Sequence, residues 1–430
     1  MTKKLQVPFF RPALTENEID EVVHTLRSGW LTSGPKVQRF ESEFASAVGA
    51  TNAIAVNSAT AALHLAVEAF GLKPGQGVLV PTMTFAATAE VVRYQGANPI
   101  LVDCDRRTLN MNLDDAKRKV QSAKSSGRRS EVRGRRSEIR GQRSDVRSLI
   151  SDFRPPTSGV VGIMPVHVGG VMMDLSELRR FASKYNLWIV EDAAHAFPAG
   201  YREGANASWQ YRSNGSKSVT CYSFYANKTI TTGEGGMAVT NNLKLARRMK
   251  LMSLHGLSHD AWGRYAENGS WDYKIVAPGF KYNLTDIAAA IGVHQLARAE
   301  AMRIERERIA RHYLNELTDV AQIELPEAMS DRKLSWHLFA IRLRLRQLKI
   351  NRDQFINELK RSGVGCSVHW RPLHLHPYYQ KTFGSRASNF PVATAEWKRL
   401  ISLSIFPGMR TEEIEHVISC IKRICDRSRR

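Results

Sequence analysis

CYSFYANKTITTGEGG (residues 221–236) runs from an apolar stretch through a single lysine into a glycine-rich turn. The apolar stretch, 219–224, has the length and composition of a buried strand. Lys228 therefore falls in the loop at the strand's end. A lysine held there is stripped of water, which lowers its pKa and frees the amine to attack a carbonyl carbon. One lysine proves little by itself, because most are solvated surface groups.

Upstream, LWIVEDAAHAFPA (187–199) ends a second apolar run in two adjacent acids, Glu191 and Asp192. A buried carboxylate is costly unless it has a cationic partner. A pyridinium nitrogen is such a partner, and keeping it protonated makes the ring an electron sink. The plainer reading is an acid that caps a helix. PTMTFAAT (81–88) places Phe85 just past a strand, where an aromatic ring can stack on a planar cofactor or simply join the core. NSATAALHL (57–65) passes from strand to helix, and free N–H groups at a helix start attract phosphate. Ser58 and Thr60 add hydroxyls, although Ser and Thr cap many helices anyway.

These loops belong to a regular alternation. Apolar runs at 53–56, 77–80, 99–102, 160–166, 187–190, 219–224 and 236–239 alternate with helical patterns at 59–70, 84–94 and 174–185, preceded by 15–27 and 36–48. Continuously apolar strands separated by helices predict an α/β fold with a mostly parallel sheet buried on both faces. In such sheets ligands bind at the strand C-termini. After about residue 250 the pattern changes to a long helical region from Thr285 to about Leu317, a strand-like WHLFAIRLRL (336–345), a helix near 351–362 and a basic, His-rich loop. The expected division is a large α/β domain over 1–250 and a smaller α+β domain over 251–430.

The chain has 430 residues, 43% hydrophobic and 24% charged, with a net charge of +21. No apolar run is long enough to cross a membrane, and no signal peptide is recognisable, so a cytoplasmic protein is expected. Five scattered cysteines, with no CxxC pair, predict neither a disulfide framework nor a metal site. Cys420 and Cys425 fit packing positions on the last helix. Part of the charge lies in an Arg-rich insertion at about 121–156, built on GRRSEVR (127–133), GRRSEIR (134–140) and GQRSDVR (141–147). One apolar residue per heptad is too few for a coiled-coil seam. A nucleic-acid-binding arm is the alternative, but acids break the basic run and no aromatics are present for stacking. No nucleic-acid or membrane partner is expected.

EDAAHA (191–196), SFYANKTITTGEGG (223–236), His255-Gly256 and GFKYNLTDIAAAIG (279–292) together resemble the DegT/DnrJ-type sugar aminotransferases, a branch of the fold-type I enzymes that use pyridoxal 5′-phosphate (PLP). The resemblance runs from about Pro8 to the end, excluding roughly 121–156. It implies the fold-type I architecture, with a seven-stranded sheet. It also implies transfer of an amino group from an amino acid, expected to be L-glutamate, to a nucleotide-linked keto-sugar. By resemblance Lys228 carries the cofactor and acts as general base, and Asp192 pairs with the ring nitrogen. Phe85 stacks on the ring, with His195 near its hydroxyl side. Ala59, Thr60 and Ser223 hold the phosphate, and Asn283 reaches the phosphate of a neighbouring subunit, so the active unit is at least a homodimer with shared sites. Thr32 in the segment 30–34, Tyr282, and His369 and His374 in SVHWRPLHLHPYY (367–379) are the implied substrate contacts.

Three departures stand out: Ala59 replaces a more usual glycine, the loop 201–218 is long and expected to cross the surface, and the heptads have no counterpart. Relatives that remove a sugar hydroxyl carry histidine in place of the lysine, and non-catalytic PLP proteins lose the lysine or the acid. Retention of Lys228 and Asp192 argues for transamination.

Overall fold

The computed structural model describes residues 5–123, 158–257 and 273–430; the Arg-rich heptads lie outside the described residues. All seven apolar runs become strands of one sheet. These are β1 (Asn52–Val56), β2 (Gln76–Pro81), β3 (Asn98–Val102), β4 (Ser158–Ile163), β5 (Trp188–Asp192), β7 (Ser218–Ser223) and β8 (Gly236–Thr240). Between β5 and β7 lies β6, the short Gly200–Tyr201. The sheet order is β1-β8-β7-β5-β4-β2-β3. Only β8 runs against its neighbours; the other pairings are parallel. This is the α/β, mostly parallel architecture that continuous apolar strands require, since both faces must be covered.

Helices α1 (Glu16–Ser28), α2 (Pro35–Ala47), α3 (Ala59–Ala69) and α4 (Ala87–Tyr94) precede or link the early strands. One sheet face packs on α3, α4 and the helix Leu243–Met252, the other on α2 and the helices Leu175–Tyr185 and Asp286–Ala297. Because β-strand side chains alternate, Val190 joins the first core and Ile189 the second. Asp192 therefore faces the α3/α4 side and Glu191 the opposite one. Asp286 accepts from the N–H groups of Gly34 (2.8 Å), Lys36 (3.1 Å) and Val37 (3.0 Å), which caps α2 and fixes the 30–34 loop.

A second, antiparallel sheet follows: β9 (Ile323–Glu324), β11 (Phe339–Leu343), β12 (Cys366–Ser367) and β13 (Leu400–Leu403), in the order β12-β13-β11-β9. It shares a third core with the helices Arg352–Arg361 and Thr411–Arg427, where Cys420 and Cys425 are buried packing residues. A two-residue strand β10 (Arg332–Lys333) pairs with β6. Among the described residues no helix is long and apolar enough to cross a membrane.

Two expectations need correction and a third gains detail. The region 285–317 is two helices, Asp286–Ala297 and Ala299–Glu316. Arg298 leaves the helix at φ −102°, ψ 1° and its guanidinium turns to Glu18 and the Ala13 carbonyl. The strand expected over 336–345 is only Phe339–Leu343, because Trp336 has φ +49° and Ser335 Oγ donates to the His195 carbonyl at 2.7 Å. The 201–218 loop is not purely superficial. Its own Arg212 is buried, donating to the carbonyls of Ser213 and Gly49 and to Asn241 Oδ1.

Candidate active site

The C-terminal ends of β1, β2, β5 and β7 meet along one edge, together with the start of β8. At the end of β7 the chain turns through Lys228, whose N–H donates to the Tyr225 carbonyl at 2.9 Å. The turn is fastened where Phe224 N–H meets the Gly235 carbonyl (2.9 Å) and Thr232 N–H the Phe224 carbonyl (3.0 Å). Burial lowers the Lys228 ammonium to about 8, and only the nearby Asp192 charge opposes the shift. The amine is thus available near neutral pH.

Asp192 is buried, and burial pushes its carboxyl above the ordinary range. Hydrogen bonds oppose this: Thr88 Oγ1 donates to Oδ2 at 2.7 Å and Ala194 N–H to Oδ1 at 3.1 Å. Its neighbour Glu191 does something else. Fully buried on the other face, it takes hydrogen bonds from Thr220 Oγ1 (2.6 Å) and Ser213 N–H (2.7 Å) and lies 3.1 Å from His167 Nε2. Met173 N–H donates to His167 Nδ1, which places the imidazole proton on Nε2, toward Glu191. Burial alone would raise the Glu191 pKa, but these donors hold it below the usual value. Of the two acids, Asp192 alone belongs with Lys228.

The β2–α4 loop brings Phe85 to the same edge, 62% exposed although Met83, Thr84 and Ala87 around it are buried. At the start of α3, Ser58 Oγ accepts from Ala61 N–H at 3.1 Å. The N–H groups of Ala59 and Thr60 precede any intrahelical acceptor. Gly236, paired with both Val56 and Ser223, runs against this turn. A Cβ on Gly236 would lie 2.5 Å from the Ser58 carbonyl carbon and oxygen and 2.6 Å from Ala59 N. Ser223, Gly236 and the 58–60 turn therefore form one close-set cradle of hydroxyls and N–H groups suited to an anion.

Four rings cluster near Lys228. His195 stacks on Trp370 (4.8 Å, 22°) and lies 4.2 Å from His337 and 6.3 Å from His369. Burial, reinforced by the Lys228 charge, holds all three histidines below the ordinary range, His369 at about 4. They are neutral at pH 7. Gly169 N–H donates to His195 Nδ1 at 3.3 Å, and His369 Nδ1 lies 2.9 Å from Ser402 Oγ. His337 was not singled out from sequence, where it sits inside an unremarkable strand-like run. Among the described residues, neither of its buried ring nitrogens has a hydrogen-bond partner, a cost of about 1–3 kcal/mol for each such group.

The remaining expected residues separate. Asn283 bridges Val56 at the β1 end and donates to Ser33 Oγ at 2.8 Å, and Thr32 is exposed on the same loop. The Tyr282 hydroxyl lies 3.1 Å from His64 Nδ1, its ring stacked on Phe280. His374 is fully buried, with Nδ1 2.8 Å from Thr82 Oγ1 and Nε2 2.8 Å from Thr394 Oγ1. Both its nitrogens are committed within the chain, so it braces the loop while His369 stays beside Lys228.

The comparisons with known proteins agree with this geometry. Residues 12–422 match the DegT/DnrJ/EryC1/StrS aminotransferase family. The spore coat polysaccharide biosynthesis protein SpsC of Bacillus subtilis is 38% identical over 419 residues, covering 97% of each chain. Spr1654 from Streptococcus pneumoniae, solved in PLP and PMP forms, superposes with a TM-score of 0.81 at 29% identity, covering 98% of this chain and 99% of that one. The sugar aminotransferase CalS13 from Micromonospora echinospora gives 0.76 at 25% identity, covering 97% and 99%. On its strands, its lysine loop and its near full-length match, the chain belongs to the DegT/DnrJ/EryC1/StrS aminotransferase family.

Proposed function

We propose that the protein is a PLP-dependent aminotransferase that moves an amino group from an amino acid, L-glutamate in the first instance, to a nucleotide-linked keto-sugar. The observation that carries this reading is the juxtaposition of Lys228, its amine held at about 8, with the buried carboxylate of Asp192. The residues present fit PLP. The Ala59–Thr60–Ser223 cradle, narrowed by Gly236, suits the phosphate; the Asp192 carboxylate suits the ring nitrogen; exposed Phe85 suits the ring face, and His195 its hydroxyl side. PLP, when bound, supplies a protonated ring that draws electrons from the reacting carbon.

The chain's own residues do the rest. Lys228 Nζ takes the proton from the donor's α-carbon in the first half-reaction and delivers one to the sugar carbon that receives nitrogen in the second. Thr32, Tyr282 and His369 contact the substrates. A neutral His369 offers hydrogen bonds without repelling the Lys228 cation. Asn283 of each chain reaches the phosphate held by its neighbour, so the working unit is a homodimer. Exposed Leu31, Phe85 and Tyr225 support a second chain closing over this edge. The name of the B. subtilis relative supports an amino sugar destined for polysaccharide.

Initial rates with L-glutamate and a nucleotide-linked keto-sugar test the reading. Parallel double-reciprocal lines are expected, because the keto acid leaves before the sugar reacts. Intersecting lines would contradict it.

A further inference from the structure

Asp192 is held from inside the protein before any ligand arrives. Thr88 has one hydroxyl proton, and its best acceptor is Asp192 Oδ2 at 2.7 Å; the Phe85 carbonyl is farther, at 3.4 Å. With that proton committed, Thr88 Oγ1 is left as an acceptor, and Thr84 Oγ1 lies 2.7 Å from it. The hydroxyls therefore run in one direction, Thr84 to Thr88 to Asp192. Thr84 and Thr88 are 1% and 0% exposed, so water does not compete for either. Thr84 belongs to the β2–α4 loop that carries Phe85, and Thr88 is the second residue of α4.

We infer that Thr88, fed by Thr84, is a positioning residue that aims the Asp192 carboxylate at the cofactor's ring nitrogen. The inference rests on the PLP reading above. Its physical basis is the conflict at Asp192. Burial drives the carboxyl toward its neutral form, which would leave a protonated ring nitrogen without a counter-charge. A charge-assisted hydroxyl donor favours the carboxylate and is stronger than a neutral hydrogen bond. It also fixes the rotation of the carboxyl group, since Oδ1 is tied to Ala194 N–H and Oδ2 to Thr88. The junction of that loop with α4 thus sets both the face of the ring, through Phe85, and its nitrogen edge, through Thr88.

The test uses the full-length protein and three variants, Thr88→Val, Thr88→Ser and Thr84→Val. PLP affinity is measured by titrating the PLP-free protein and following the lysine-dependent absorbance. The pH dependence of glutamate-driven bleaching is recorded beside the melting temperature. Thr88→Val is expected to bind PLP at least about tenfold more weakly. Its acid limb should move to higher pH, because a carboxyl without its donor keeps its proton further up the pH scale. Thr88→Ser should restore both, and Thr84→Val should fall between. If Thr88→Val does not fold, Thr84→Val carries the test, since it leaves the Asp192 contact intact. Unchanged PLP affinity and an unmoved acid limb in folded variants would overturn the inference while leaving the PLP reading standing. Absence of any lysine-dependent band in the wild type would overturn that reading, and this inference with it.

Discussion

Lys228 is where local chemistry and global stability conflict. Its amine sits at about 8 in the folded chain, whereas an unfolded lysine titrates near ~10.4. Between these values the unfolded chain binds a proton that the folded chain lacks, so stability rises with pH across that window. Below about 8 the whole cost of burying the ammonium is present. Lys228→Met should therefore melt several degrees higher than wild type when both are PLP-free at pH 7, and the advantage should shrink as pH rises toward 10. Equal melting at pH 7 would count against a desolvated lysine. Lys228 and Asp192 were legible in the sequence, Asp192 as an acid at the end of an apolar run and Lys228 through the wording of the loop beyond one. Thr88 and His337 were not. A threonine beside a helix start looks like any cap, and His337 acquires meaning only from its 4.2 Å contact with His195.

Among the elements, the turn from β1 into α3 is tightly constrained, because β8 passes directly beside it. Gly236→Ala would place a Cβ about 2.5 Å from the Ser58 carbonyl, backbone against backbone, where no rotamer can relieve the contact. The variant is expected to lose PLP affinity by more than tenfold and to melt several degrees lower, as titration and calorimetry would show; wild-type affinity would mean that the phosphate cradle lies elsewhere. The strands were legible because buried parallel strands are apolar without interruption. Element ends were less so. The apolar pattern of 336–345 continues past the point where Trp336 bends the chain out of the sheet. The helical pattern of 285–317 likewise runs through Arg298, whose departure is set by Glu18 and Ala13 far away in sequence.

For the whole molecule, the sheet order brings together loops spread from residue 57 to residue 236: 57–60, 81–88, 191–195 and 223–236 share one edge. The alternation of strands and helices made that edge predictable, and the wording of the loops made the family recognisable. The closing layer was less legible. His337 and Trp370 come from beyond the large sheet, and their place beside His195 emerges only from the packing of the second sheet's segments, whereas the resemblance had already implied His369. The central claim, a lysine-dependent PLP aminotransferase, is tested most directly by the absorbance spectrum of protein supplied with PLP, recorded for wild type and Lys228→Ala before and after L-glutamate. The wild type is expected to show a band near ~420 nm that bleaches with glutamate and is missing from the variant. A wild-type spectrum identical to that of Lys228→Ala would contradict it.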